Sequence, residues 1–176
     1  GVAWPRLSFQ DAKLIVSFGA DFLDGWGLSV PQQLDFADAR AKIEGAPRFV
    51  YIGARRSLTG LNADQWIACQ PGSELAIANA LAGKGSVADA ATASGVPAVT
   101  IDRLKAEISA ATPALVLAGA RGPDALELAQ AVAAINQAGG ANGTTIRPAE
   151  ASPAFDTVAR TADVLDVVER MRSGLV

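Results

Sequence analysis

Three short, almost wholly apolar runs in this chain each stop at a glycine: KLIVSFG at residues 13–19, RFVYIG at 48–53 and PALVLAG at 113–119. A brief continuous apolar run that ends in Gly reads as a strand covered on both faces, because a half-exposed strand would alternate with polar residues. Between the first two runs, residues 31–44 carry helical spacing, with Leu34, Ala37, Ala41 and Ile43 near one face. Gly45 and Pro47 then supply stop signals. Strand, helix and strand in succession make a βαβ unit, whose crossover is right-handed.

The rest of the chain continues in the same alternation. Residues 65–69 read as a third, short strand that Pro71 and Gly72 break, and Ser73 can cap a helix over 74–81. Residues 86–93 and 97–111 read as two more helices; in the second, Val99, Ile101, Leu104 and Ile108 lie at near-helical spacing. An amphipathic helix is expected over 123–137, with Pro123 at its first position and Gly139 and Gly140 past its end. Residues 144–147 suggest a short strand. Residues 161–173 suggest a last helix, with Val164, Leu165, Val167, Val168 and Met171, stopped by Gly174. The expected fold is a three-layer, Rossmann-like α/β domain with a mainly parallel sheet. It would occupy 1–176 as one domain, with possible sub-lobes 1–85 and 86–176. The one linker-like stretch is 147–156. Leu175 and Val176 follow a helix stop where another strand would begin, so the chain reads as a fragment of a longer polypeptide.

Composition narrows the function. Half of the residues are apolar and only 6% aromatic, which suits small-residue contacts between helices and a sheet. A net charge of −3 without a basic stripe gives no footprint for nucleic acid. No apolar run approaches the roughly 18 residues that read as a membrane-spanning helix. The opening GVAWP lacks the charged and apolar regions of a signal peptide. The chain has one cysteine and no histidine. It therefore cannot form an internal disulfide, an all-Cys/His zinc or cluster site, or a serine–histidine or cysteine–histidine nucleophile. Any metal site would have to be all oxygen, and no residue is assigned a catalytic role.

Three Gly-bearing strand ends are candidate binding turns: Phe18-Gly19-Ala20-Asp21, Ile52-Gly53-Ala54-Arg55-Arg56 and Gly119-Ala120-Arg121-Gly122. Open α/β sheets bind ligands beyond the carboxyl ends of their strands, and backbone amides with a nearby Arg can hold phosphate. None is a G-x-G-x-x-G or a P-loop, so each can equally be a simple strand-to-helix turn. Arg55, Arg56, Ser57 and Thr59 form a possible anion site or a solvated loop. Asp21, Asp24, Asp64 and Glu74 could pair for acid–base work, but such acids also cap helices and bind backbone amides. Trp4, Trp26 and Trp66 could stack on a base or serve as core and interface anchors. Cys69, among apolar neighbours, reads as a buried inert thiol.

Taken in order, these segments resemble the molybdopterin oxidoreductase (dimethyl sulfoxide reductase) superfamily. The likeness runs through the turn at Gly19–Asp21, Gly53–Thr59, Ala63–Ile67, Pro71–Ala76, the 115–119 strand, Ala134–Asn136, Gly139–Gly143 and Met171–Gly174. It implies that Gly19, Asp21, Arg55, Arg56, Gly72 and Glu74 surround the guanine-nucleotide part of a molybdopterin guanine dinucleotide. Three departures speak against binding: Asp21 stands where the family has Asn, Gly53 where it has a ribose-binding Asp, and Ser73-Glu74 where it has Thr-Asp. The stretches SFGADFL with Trp26, and SLTGLNADQW, resemble most closely the large iron–sulfur subunit of alternative complex III, a quinol-oxidising respiratory assembly. That subunit's molybdopterin-oxidoreductase-like half is thought to hold no molybdenum.

The resemblance implies a cofactor-free structural domain of a respiratory electron-transfer complex. Its partners would be other domains of the same polypeptide and iron–sulfur, cytochrome and membrane subunits, on the periplasmic side or at a membrane-associated complex. Two alternatives stand beside it: a domain that does bind molybdopterin guanine dinucleotide, and a degenerate nucleotide-binding or protein-interaction module.

Overall fold

The computed structural model describes residues 5–119, 122–148, 159 and 161–175. The chain divides into two compact units, Leu7–Arg147 and a second made of Gly1–Arg6 with Pro148–Val176.

Strands β2 (Leu14–Phe18), β3 (Arg48–Ile52), β4 (Gln65–Ile67) and β5 (Ala114–Ala118) form a four-stranded sheet in the order β4-β3-β2-β5. Every pairing in it is parallel, with Val16 level with Val50 on one side and Val116 on the other. Two-residue strands β1 (Arg6–Leu7) and β6 (Ile146–Arg147) form a separate ladder. The helices are α1 (Ser29–Arg40), α2 (Leu58–Leu61), α3 (Glu74–Leu81), α4 (Val87–Ser94), α5 (Ala98–Ala110), α6 (Ala125–Ala138) and, in the second unit, α7 (Thr161–Arg172).

Successive strand residues point to opposite faces, and both faces are buried, as the continuous apolar runs required. Leu14, Val16, Phe18, Val50, Ile52 and Val116 share one core with residues of α3, α4, α5 and α6. Ile15, Phe49, Tyr51, Leu115 and Leu117 face the other core, against Phe36 and Ala39 of α1. Phe9, Phe22, Phe36 and Phe49 form an aromatic cluster there, with ring centroids 4.7–5.9 Å apart. The architecture is a three-layer, Rossmann-like α/β domain.

Several local expectations change. Helix α1 stops at Arg40, short of Gly45, and turns a different face inward. Gln32, Phe36 and Ala39 are buried, whereas Leu34 is 64% exposed and Ile43 fully exposed. The phenylalanine cluster decides the face, and no inward residue beyond Ala39 holds a further turn. Helix α6 starts at Ala125 with Asp124 at its cap position, so Pro123 lies outside the helix. Ser73 occupies the cap position of α3, but its hydroxyl donates to the Gln70 carbonyl (2.6 Å) and does not serve the helix. Val99 points to solvent, while Ile101, Leu104 and Ile108 are buried. The apolar residues of α7 from Val164 to Met171 are all exposed. Trp4, Ala120, Arg121 and most of the linker-like stretch lie outside the described residues.

Candidate functional site

The chain leaves β2 for β3 and β4 on one side, then returns to β5 on the other side of β2. The strand order therefore reverses between β2 and β5, and a crevice opens there at the carboxyl ends of the strands. A cleft of about 370 Å³ occupies this position. It is lined by Gly19 and Asp21 after β2, Gly53–Arg55 after β3, Pro71, Gly72, Glu74 and Leu75 around the start of α3, and Gly119 and Gly122–Ala125 at the start of α6.

Three glycines make its floor. The parallel ladder runs one step past the strands: the Gly19 N–H donates to Ile52 O (3.0 Å), Gly53 N–H to Ile67 O (3.2 Å) and Gly119 N–H to Phe18 O (3.0 Å). Gly119 is required by contact, since a Cβ there would lie 2.2 Å from the Ala20 Cα. Ser17, fully buried, shapes the adjoining turn by donating to Ala20 O and accepting from Ala20 N–H, both at 2.9 Å.

Asp21 stands at one wall and is already engaged. Its Oδ1 accepts from the Tyr51 hydroxyl (3.0 Å) and from the Ser57 hydroxyl, and its Oδ2 lies 3.5 Å from the Arg55 guanidinium. The Tyr51 ring reaches this position because Gly60 has no side chain; a Cβ there would come within 2.9 Å of the ring. Ser57 also caps α2, accepting from the Gly60 N–H. Burial pushes the Tyr51 phenol above its ordinary pKa; the Ser57 hydrogen bond opposes that rise and the Asp21 carboxylate adds to it. Tyr51 thus remains a protonated donor to Asp21 across the neutral range. The sequence offered no sign of this Tyr51–Ser57–Asp21 arrangement, because its members come from three separate segments.

Of the residues singled out in the sequence, Gly19, Asp21, Arg55, Gly72 and Glu74 line the one cleft. Arg56 does not. Its guanidinium lies over the Trp66 ring (5.9 Å to the centroid) and donates to Gly60 O, while the Trp66 indole N–H donates to Gly53 O (2.9 Å). Asp64 is a structural acid, accepting from the Phe49 N–H (2.7 Å) and from Arg40. Cys69 is buried, and desolvation pushes its thiol up to about 11, as expected of an inert sulfur. Among the described residues no group of three or more His, Cys, Asp or Glu is placed to hold a metal ion.

The cleft is flanked by two helix starts. Helices α3 and α6 both begin at its wall, and helix starts attract anions. Each start already carries a carboxylate: Glu74 opens α3 and Asp124 precedes α6. Among the described residues, Asp21, Glu74 and Asp124 line the cleft together with one base, Arg55, whose side chain is 80% exposed and faces Asp21. Among the described residues, the acids at the two helix starts do not suit the phosphates of a dinucleotide such as molybdopterin guanine dinucleotide.

Fold and crevice define the chain as a doubly wound α/β domain with a switch-point cleft. No family model matches the chain, and no curated protein matches it. Among solved structures, it is similar to part of the acetylene hydratase from Pelobacter acetylenicus, with a TM-score of 0.56 and 13% identity. That likeness covers 77% of this chain and 22% of the enzyme's chain. It establishes the architecture, and the chain spans about a fifth of the neighbour's length.

Proposed function

We propose that this chain is a molybdopterin-oxidoreductase-like domain that serves as a structural part of a larger electron-transfer polypeptide, with a dinucleotide cleft that has become self-satisfied. The observation that carries this reading is the charge of the cleft. Asp21 is occupied by Tyr51, Ser57 and Arg55, and Glu74 and Asp124 sit at the two helix starts that would otherwise attract phosphate. The fold shared with part of a much longer enzyme, acetylene hydratase, is compatible with a role as one domain among several. The ordered motifs around Gly19, Arg55 and Gly72 support the superfamily, and the SFGADFL and SLTGLNADQW stretches support the large subunit of alternative complex III. In such a complex, on or near the periplasmic face of a membrane, the domain would contribute fold and interface to iron–sulfur and cytochrome partners. No helix among the described residues is long and apolar enough to cross a membrane.

A second reading, that the cleft binds a nucleotide, is favoured by the glycine floor and the exposed Arg55. Oxidative release assays on the chain, purified from a host that makes the molybdenum cofactor, separate the two. The structural reading expects no stoichiometric pterin and no guanine nucleotide. Near-equivalent release of both, lost in Arg55→Ala or Glu74→Ala, would overturn it.

A further inference from the structure

Strand β5 is the outer strand of the four-stranded sheet on the β2 side. In a parallel ladder, alternate residues direct both main-chain groups to the same neighbour. The Gly119 N–H bonds to Phe18 O of β2, so Leu117 and Leu115 also face β2, and Ala114 and Val116 face outward. Outward groups on an edge strand are a ready template for another strand. At Val116 and Ala114 they are taken, the Ala114 N–H by the Gly139 C=O (3.5 Å). The Asn136 side chain accepts from the Val116 N–H (2.9 Å) and donates to the Val116 C=O (2.7 Å). One step earlier, the Thr145 hydroxyl donates to the Ala114 C=O (3.0 Å). Both side chains are buried, at 5% and 0% exposure.

We infer that Asn136 closes this edge of the sheet as a strand mimic, keeping β5 from pairing with a strand of a second copy of the chain. One amide group makes both hydrogen bonds that a neighbouring strand would make to Val116. Asn is a poor helix former compared with Ala or Leu, yet it stands inside α6 among Ala134, Ile135 and Gln137. A position that breaks the local rule while satisfying two backbone groups of another element is chosen for those groups. Thr145 extends the closure to Ala114, so the protected edge is longer than one residue.

Amide hydrogen exchange on the native chain tests this first. Val116 is expected to exchange within about ten-fold of Leu115 and Leu117, although it faces away from β2. Exchange of Val116 at the rate of an unbonded amide overturns the inference. Sedimentation of Asn136→Leu tests it a second time. A folded variant, with unchanged far-ultraviolet circular dichroism, is expected to self-associate with rising concentration and to lose the Val116 protection by at least ten-fold. A folded variant that stays monomeric at every concentration overturns the inference, because the edge is then closed by something other than Asn136. If the variant does not fold, the native exchange measurement decides.

Discussion

Asp64 joins three parts of the chain that are far apart in sequence. Its carboxylate receives two hydrogen bonds from Arg40 at the end of α1 (2.5 and 2.8 Å) and one from the Phe49 N–H of β3. Burial alone would raise its pKa. The Arg40 hydrogen bond and the Phe49 N–H outweigh that and hold it below the usual carboxylate range. A lowered folded-state pKa contributes stability that is complete above the unfolded value, about 3.9, and is lost as the pH falls through the folded value. Both side chains are near one-third exposed, so screening keeps the contribution modest. Asp64→Asn should lower stability at pH 7 by about 1–2 kcal/mol. The gap to the native chain should close as the pH falls below about 4 in denaturant titrations; a gap independent of pH would contradict this account. Gly119 is a second such residue. Gly119→Ala places a methyl group onto the Ala20 backbone, and should cost about 2–4 kcal/mol in the same measurement.

At the scale of elements, what the sequence could disclose followed from how each element is covered. Strands β2, β3 and β5 are buried on both faces, so nearly all their side chains are apolar, Ser17 and the exposed Arg48 excepted, and their limits could be read to within a residue. Helix α3 was legible for a similar reason: Pro71 and Gly72 break the chain just before it and four of its residues are buried. The face of α1 was not legible. Its inward residues are Gln32, Phe36 and Ala39, a set without a conspicuous apolar stripe, selected by partners at Phe9, Phe22 and Phe49. Leu34 and Ile43 looked inward by spacing and are exposed. Phe36→Ala should therefore cost about 3–5 kcal/mol, whereas Leu34→Ala should stay within about 0.5 kcal/mol of the native chain. Equal effects at the two positions would contradict the packing described here. Helix α2 is a single four-residue turn, too short to leave a periodic signal, yet it delivers Ser57 to Asp21.

For the whole molecule, the decisive property is the balance between shape and charge at the switch point. The shape was legible because glycines at strand ends are needed wherever backbones converge. The wall composition was legible in part: Gly19, Asp21, Arg55, Gly72 and Glu74 meet in one cleft, while Arg56 turns away to Trp66. The internal engagement of Asp21 was not legible, because it depends on Tyr51 and Ser57 reaching it through folding. Under the proposed reading, the three carboxylates described at the cleft, set against the exposed Arg55 guanidinium, disfavour phosphate. The most direct test is titration of the purified chain with GDP, followed by the backbone amide shifts of Gly19, Gly53 and Gly72. A self-satisfied cleft predicts no saturable shift up to about 1 mM, equivalent to binding weaker than about −4 kcal/mol. Saturation at these three glycines with a Kd near 1 μM, about −8 kcal/mol, and its loss in Arg55→Ala, would contradict the account.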